Sequence, residues 1–176
     1  MKTNKLIFDK LILTAMVVSC ISGTAMATTG VGSTIYGTDN IASGEYSNAF
    51  GYKNTASGKA SFAAGVSSTA SGKDTVAIGH TANATGEYTV AIGSNATAGD
   101  YDSIAIGKNA HTARAGTIVI GRNATSNAEL SLAVGTDTES NWGGTAVGVL
   151  AKATGLQSTA LGNGTNATET YSTAVG

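Results

Sequence analysis

The chain has 176 residues, a formal net charge of −1 and only 12% charged residues. This composition gives no basic surface of the kind that nucleic-acid-binding proteins present, so nucleic acid is not a predicted partner. The single cysteine lies at position 20, which excludes a disulfide framework in the remainder of the chain.

The first element in chain order is a predicted export signal over residues 1–27. Lysines at the start precede the apolar run LILTAMVVSCI, and a small-x-small sequence ends at Ala27, after which we expect cleavage. The run is too short to span a bilayer as a stable helix. The sequence VVSC also fits a lipobox, so lipid modification of Cys20 is the alternative. Both interpretations predict an exported protein.

A repeat organises the second predicted domain, residues 28–176. A glycine, here called the register glycine, recurs every fourteen residues, with one interval of thirteen before Gly148. Such a fixed period is the signature of a solenoid, in which each repeat stacks on the next. The register glycines are Gly37, Gly51, Gly65, Gly79, Gly93, Gly107, Gly121, Gly135, Gly148, Gly162 and Gly176.

The residues before each register glycine predict a strand. Counting back from the glycine, positions −3 and −1 are mostly Val, Ile or Leu in the middle of the chain, position −2 is Ala in nine of eleven repeats, and position −4 is Ser or Thr in ten of eleven. Alternation with a period of two is typical of a strand. We therefore expect positions −3 and −1 to face the interior and positions −4 and −2 to face solvent.

A second short strand is predicted after the register glycine, around an Ala that recurs at position +5. Further glycines recur at position +7, namely Gly44, Gly58, Gly72, Gly86 and Gly155. Two strands and two turns in fourteen residues predict one flattened coil, with glycines at both corners supplying the backbone angles of the turns. The predicted fold class is all-β, a parallel β-solenoid of about ten coils.

These repeats resemble a known family. TVAIG occurs twice, and SIAIG and SLAVG follow, each with a polar pair and a stretch of small residues behind it. Over about residues 30–176 the pattern is similar to the head repeat of YadA-like trimeric autotransporter adhesins, whose motif is roughly N-S-V-A-I-G. The best matches are Asp74–Gly79, Tyr88–Gly93 and Asp102–Gly107. None of them begins with Asn, and each has one further conservative difference, Thr for Ser or Ile for Val.

The resemblance implies a left-handed parallel β-roll, three identical chains in one head, and display on the outer surface of a Gram-negative bacterium. It also implies attachment to extracellular-matrix proteins such as collagen or to host cells, or autoaggregation of the bacteria. A structural or biofilm-matrix rod with no specific host ligand is the alternative. Family members continue into a stalk and a membrane anchor, for which this sequence has no pattern. We therefore expect it to be a fragment of a longer protein, with an anchorless secreted head and a head anchored by lipid on Cys20 as the alternatives.

The candidate ligand-binding residues are surface columns rather than a pocket. With positions −4 and −2 expected to face solvent, the residues in the best-matching repeats are Thr75, Ala77, Thr89, Ala91, Ser103 and Ala105. The alanine column is also a candidate packing face between subunits. Packing between coils alone is the competing interpretation of these residues.

No enzyme activity is predicted. His80 and His111 occupy different offsets in their repeats, and no cysteine follows residue 20, so the sequence carries no metal-binding or cofactor-binding signature. An acyltransferase on a left-handed β-helix needs eighteen residues per coil, which fourteen fits badly. An ice-binding surface is a further alternative, prompted by the Ser/Thr column at position −4. The chain is therefore expected to have no catalytic residues, no cofactor and no small-molecule substrate.

Overall fold

The computed structural model describes residues 29–176, and its strands form two parallel sheets. Twenty-one strands alternate between an 11-stranded sheet, which takes the odd-numbered strands, and a 10-stranded sheet, which takes the even-numbered ones. Each coil therefore contributes one strand to each sheet. The predicted export signal, with cleavage after Ala27 and the alternative at Cys20, lies outside the described residues.

The strands of the larger sheet carry the positions before the register glycine. They are β1 (Thr34–Thr38), β3 (Asn48–Tyr52), β5 (Phe62–Val66), β7 (Val76–His80), β9 (Val90–Ile92), β11 (Ile104–Ile106), β13 (Ile118–Ile120), β15 (Leu132–Val134), β17 (Thr145–Val147), β19 (Thr159–Leu161) and β21 (Thr173–Val175). The strands of the smaller sheet have two residues each and carry positions +4 and +5. They are β2 (Ile41–Ala42), β4 (Thr55–Ala56), β6 (Thr69–Ala70), β8 (Asn83–Ala84), β10 (Thr97–Ala98), β12 (His111–Thr112), β14 (Thr125–Ser126), β16 (Glu139–Ser140), β18 (Lys152–Ala153) and β20 (Asn166–Ala167).

Equivalent residues of successive coils lie side by side in the sheets. Val76 pairs with Val90, and the next coil continues the column with Ile104. At the shortened repeat Leu132 pairs with Thr145, thirteen residues away, so both sheets keep their register. The missing residue lies between Ser140 and Thr145, in the segment that connects the two sheets. The prediction of an all-β parallel solenoid of about ten coils is confirmed.

The predicted orientation of the strands is wrong. The alanines at position −2 and the Ser or Thr residues at position −4 are buried, whereas the Val, Ile and Leu residues at positions −3 and −1 are half-buried or exposed. Positions +3 and +5, occupied mainly by Ala, Ser, Thr or Asn, complete the interior. A fourteen-residue coil that is flattened into two sheets encloses little space, so its interior is filled by small side chains and the larger ones point outward.

The two kinds of glycine serve different purposes, and the predicted role of the +7 glycines is wrong. The register glycine Gly121 has a φ of +144°, which L-residues rarely adopt. The +7 glycine Gly58 has no positive φ, but a Cβ added to it would lie 1.8 Å from the carbonyl oxygen of Gly72 in the next coil. The left-handed corner residues are instead those at positions +2 and −5, where non-glycine residues have φ values of 51° to 60°.

A ladder of buried amides closes one corner of the first coils. The backbone N–H and Nδ2 of Asn54 both donate to Asn40 Oδ1, at 2.9 and 3.0 Å. Asn54 Nδ2 also donates to the carbonyl of Gly65 at 2.8 Å, and Asn54 Oδ1 accepts from the backbone N–H of Ser68 at 2.9 Å. One side chain thus satisfies polar groups in three successive coils.

Asn54→Ala is therefore expected to destabilise the fold by about 1–3 kcal/mol, because it leaves several buried polar groups without partners. Asn163→Ala is the matched control, since Asn163 is exposed, and its effect should stay within about 0.5 kcal/mol. Chemical denaturation followed by circular dichroism measures both. Equal unfolding midpoints for the two variants would contradict the structural role of the buried ladder.

Candidate functional surface

The six residues predicted to bind ligand lie inside the coils. Ala77, Ala91 and Ala105 at position −2 and Thr75, Thr89 and Ser103 at position −4 all have 0% relative exposure. Their side chains face the opposite sheet and present nothing to a macromolecule outside. The outward placement on which the prediction rested is thus corrected, and so is the alanine column as a packing face between subunits.

The hydroxyl groups at position −4 have a structural role at the corner of each coil. Thr75 Oγ1 donates to the carbonyl of Gly72 at 2.9 Å, Thr89 Oγ1 to that of Gly86 at 2.9 Å, and Ser103 Oγ to that of Asp100 at 2.7 Å. Each bond closes a turn of four residues. The sequence contained this signal, because Ser and Thr characteristically bond to nearby backbone groups in turns.

The outer surface of the larger sheet is apolar in its central coils, whereas the outward position −3 is Thr or Asn in the first two and last three coils. We call its outward residues in the central coils the apolar face; they are Val76, Ile78, Val90, Ile92, Ile104, Ile106, Ile118, Ile120, Leu132 and Val134. Ile78, Ile118 and Ile120 are 37%, 38% and 39% exposed. A contiguous apolar patch of this kind on an otherwise polar chain marks an interaction surface.

An aromatic cluster extends the apolar face into the first coils. The rings of Phe50 and Phe62 stack with centroids 5.5 Å apart, and the ring of Tyr36 lies 6.5 Å from that of Phe50. These residues occupy positions −1 and −3, as the Val and Ile residues do further along. Aromatic side chains add buried area and specific geometry to an interface.

The outer surface of the smaller sheet is polar, and we call it the polar face. Its outward column is position +4, which reads Ile41, Thr55, Thr69, Asn83, Thr97, His111, Thr125, Glu139, Lys152 and Asn166. After Ile41, every residue of this column carries a hydrogen-bonding group. The two faces of the solenoid therefore differ in chemistry.

The first edge consists of positions +1 and +2, directly after each register glycine. In its middle Asn95 Nδ2 donates to Asn109 Oδ1 at 3.1 Å, Asn109 Nδ2 to Asn123 Oδ1 at 2.9 Å, and Asn123 Nδ2 to Asp137 Oδ1 at 2.8 Å. Arg122 lies beside the end of this exposed ladder, 3.6 Å from the carboxylate of Asp137. The ladder stops at the next coil, where Val149 and Leu150 occupy the two positions.

The second edge consists of positions −6 and −5, on the other side of the larger sheet. Lys59 forms an ion pair with Glu45 at 2.8 Å, and this pairing raises the pKa of Lys59. Lys73 Nζ donates to Tyr88 Oη at 2.9 Å and lies 3.3 Å from Asp74, and these contacts raise the pKa of Lys73. Both lysines remain charged at neutral pH. Trp142, which is 54% exposed, belongs to this edge.

The described residues offer little chemistry beyond these surfaces. Within residues 29–176 no group of three or more His, Cys, Asp or Glu side chains is arranged to hold a metal ion. His80 is exposed on the first edge and His111 is half-buried on the polar face, so they lie apart. No helix in this part of the chain is long and apolar enough to cross a membrane.

Comparison with known families identifies the repeat. A family model described as the YadA head domain repeat (2 copies) matches residues 42–68, 56–82, 70–96, 84–110, 101–124, 143–165 and 153–176. Together these segments span more than half of the chain and coincide with the coils of the solenoid. A search of curated proteins found no match.

Proposed function

The chain belongs to the family of proteins with YadA head domain repeats, and we propose that it forms the head of a bacterial surface adhesin. In this proposal the head is displayed on the outer surface of a Gram-negative cell. It attaches the cell to host extracellular matrix or to host cells, or it holds bacteria together by autoaggregation. The proposed structure is a left-handed roll that assembles as a homotrimer.

The observation that carries the proposal is the contrast between the two faces. Ile78 and Ile120 point away from the interior of their own coil and remain more than a third exposed. The corresponding column of the smaller sheet is polar, with Thr97 and Asn83 at equivalent places. Three copies that turn their apolar faces toward a common axis would cover these residues and leave the polar faces outside. The aromatic cluster at Phe50 would lie in the same interface.

The polar face is then the surface available to a ligand. Its outward column consists mainly of Thr, Asn, His, Glu and Lys residues. Successive residues of this column lie on neighbouring strands, about 4.8 Å apart. Three such faces on one head give many similar contacts, and linked weak contacts bind far more tightly together than singly. A fibrous or densely displayed partner, such as collagen or a cell surface, suits this geometry.

The first experiment is a binding screen of the protein against immobilised collagen, fibronectin and laminin, run beside an assay of bacterial aggregation. We expect binding to at least one matrix protein or aggregation of expressing cells. Disruption of the apolar face with Ile78→Asp and Ile120→Asp should reduce either effect at least about tenfold, because avidity is lost. A stable trimer that binds no matrix protein and aggregates no cells would replace the adhesin with a structural rod of the biofilm matrix.

A further inference from the structure

The residues at the two edges of the solenoid match one another in chemistry when copies are placed side by side. From this match we propose that the edges form the contact between neighbouring chains, with Val149 and Leu150 of one chain inserted between Trp142 and Leu156 of the next. This inference rests on the proposed trimer and specifies which residues meet in it.

The direction of the contact follows from the arrangement of the coil. The larger sheet is flanked by the first edge on one side and by the second edge on the other. When parallel copies turn this sheet toward a rotation axis, the first edge of each copy adjoins the second edge of its neighbour. The contact is therefore heterologous, and no residue meets its own equivalent.

The height of the contact follows from the repeat. Copies related by a rotation axis parallel to the solenoid have equivalent residues at the same height. Val149 and Leu150 come seven residues after Trp142 and Gly143 and seven residues before Leu156 and Gln157. Along the rotation axis, the pair Val149 and Leu150 of one chain thus lies half a coil above one second-edge pair of the neighbouring chain. It lies half a coil below the next second-edge pair of that chain. Half a coil corresponds to about 2.4 Å, since strands are about 4.8 Å apart.

At one height along the axis, apolar residues of the first edge meet apolar residues of the neighbouring chain's second edge. Val149 and Leu150 are 47% and 51% exposed, and no other coil of the described chain has large apolar residues at both first-edge positions. Trp142 and Leu156, which are 54% and 45% exposed, stand in consecutive coils of the second edge. The apolar pair of the first edge therefore lies at a height between these two apolar residues of the second edge.

Oppositely charged residues of neighbouring chains come to similar heights along the axis at two further places. Lys108 on the first edge comes six residues after Asp102 on the second edge, and Arg122 comes seven residues before Glu129. Each cation is thus within half a coil of an acidic residue of the neighbouring chain. Like charges also come to similar heights, namely Asp137 with Glu129, Lys53 with Lys59 and Asp39 with Glu45. Arg122 of the same chain already compensates Asp137, and Lys59 and Glu45 compensate each other. Complementary charges at these places would fix the register between chains.

Cysteine cross-linking tests the contact directly. Cys20 is the only cysteine, so Cys20→Ser provides a background in which a disulfide has to use the introduced positions. The full chain with Leu150→Cys and Leu156→Cys should give bands of two and three linked chains on a non-reducing gel after mild oxidation. The single variants Leu150→Cys and Leu156→Cys are the matched controls, and neither should cross-link, because the contact is heterologous.

Fluorescence gives a second readout, because Trp142 is the only tryptophan. In the trimer Leu150→Asp should shift the emission of Trp142 to longer wavelength, whereas Thr81→Asp, at the same position of another coil, should leave it unchanged. Both residues have positive φ, which Asp tolerates well. A native mass of three chains without the linked bands and without the emission shift would overturn this inference and leave the trimer intact. A native mass of one chain would overturn both.

Discussion

Gly121→Ala is expected to destabilise the solenoid by about 2–6 kcal/mol. The residue has a φ of +144°, and an Ala there stores about 1–3 kcal/mol of backbone strain. Its Cβ would also lie 2.0 Å from the carbonyl oxygen of Gly135 in the next coil, so the stacked strands would have to separate, at about 1–3 kcal/mol for overpacking. Thermal unfolding followed by circular dichroism measures the loss.

Gly164→Ala is the matched control for this substitution. Gly164 also has a positive φ, of +69°, but nothing lies within 4 Å of a Cβ added to it. The control therefore incurs only the left-handed penalty of about 1–2 kcal/mol. If the two variants unfolded at the same temperature, close stacking at the register glycine would not be what stabilises the coils.

Ile78→Asp combined with Ile120→Asp is expected to convert the proposed trimer to folded monomers. Both side chains point outward and are 37% and 39% exposed, so the interior of the coil is not altered. Full burial of an Ile side chain contributes about 1.5–3 kcal/mol, and each factor of ten in affinity corresponds to about 1.4 kcal/mol. Somewhat more than a third of that burial is still to be gained at each position, and each buried Asp carboxylate adds a desolvation cost. The two substitutions should therefore weaken assembly at least about a hundredfold. Sedimentation velocity measures the mass in solution.

The control places the same charge on the other sheet. Thr97→Asp lies in the outward column of the polar face and should leave both assembly and fold unchanged. Circular dichroism of all variants should retain the strand signal of the wild-type chain. Loss of the fold in the double variant, or loss of assembly in Thr97→Asp, would contradict the assignment of the apolar face as the interface.

Much of the fold could be predicted from the sequence because the period is explicit. The register of the sheets follows from counting fourteen residues between glycines, and the structure keeps that register even at the shortened repeat. Two strands per coil followed from the alternation before the glycine and from the recurring Ala at +5. These features depend on local spacing, which a sequence states directly.

The orientation of the strands could not be predicted from alternation alone. A period of two defines two faces but does not say which one is inside, and we assigned the interior to the larger apolar residues. That assumption fails when a coil encloses too little space for these larger residues, which then point outward. The candidate site failed with it, since Thr75 and Ala77 were taken for surface residues.

A different property of the same columns would have indicated the correct orientation. Positions −3 and −1 accept residues as different in size as Phe62, Thr145 and Ile118, whereas position −2 is Ala in nine of eleven repeats. A confined interior tolerates little change in volume, while an outward position accommodates many sizes. Uniformity of size marks the inside of a narrow solenoid better than hydrophobicity does.

The native mass of the unmodified chain in solution decides whether the apolar face is an interface between subunits. We expect a complex of three chains, because only association covers the apolar face around Ile78 and Ile120. A single chain that stays soluble and folded with this face exposed, at concentrations well above those at which the ligand-binding assays are run, would contradict it.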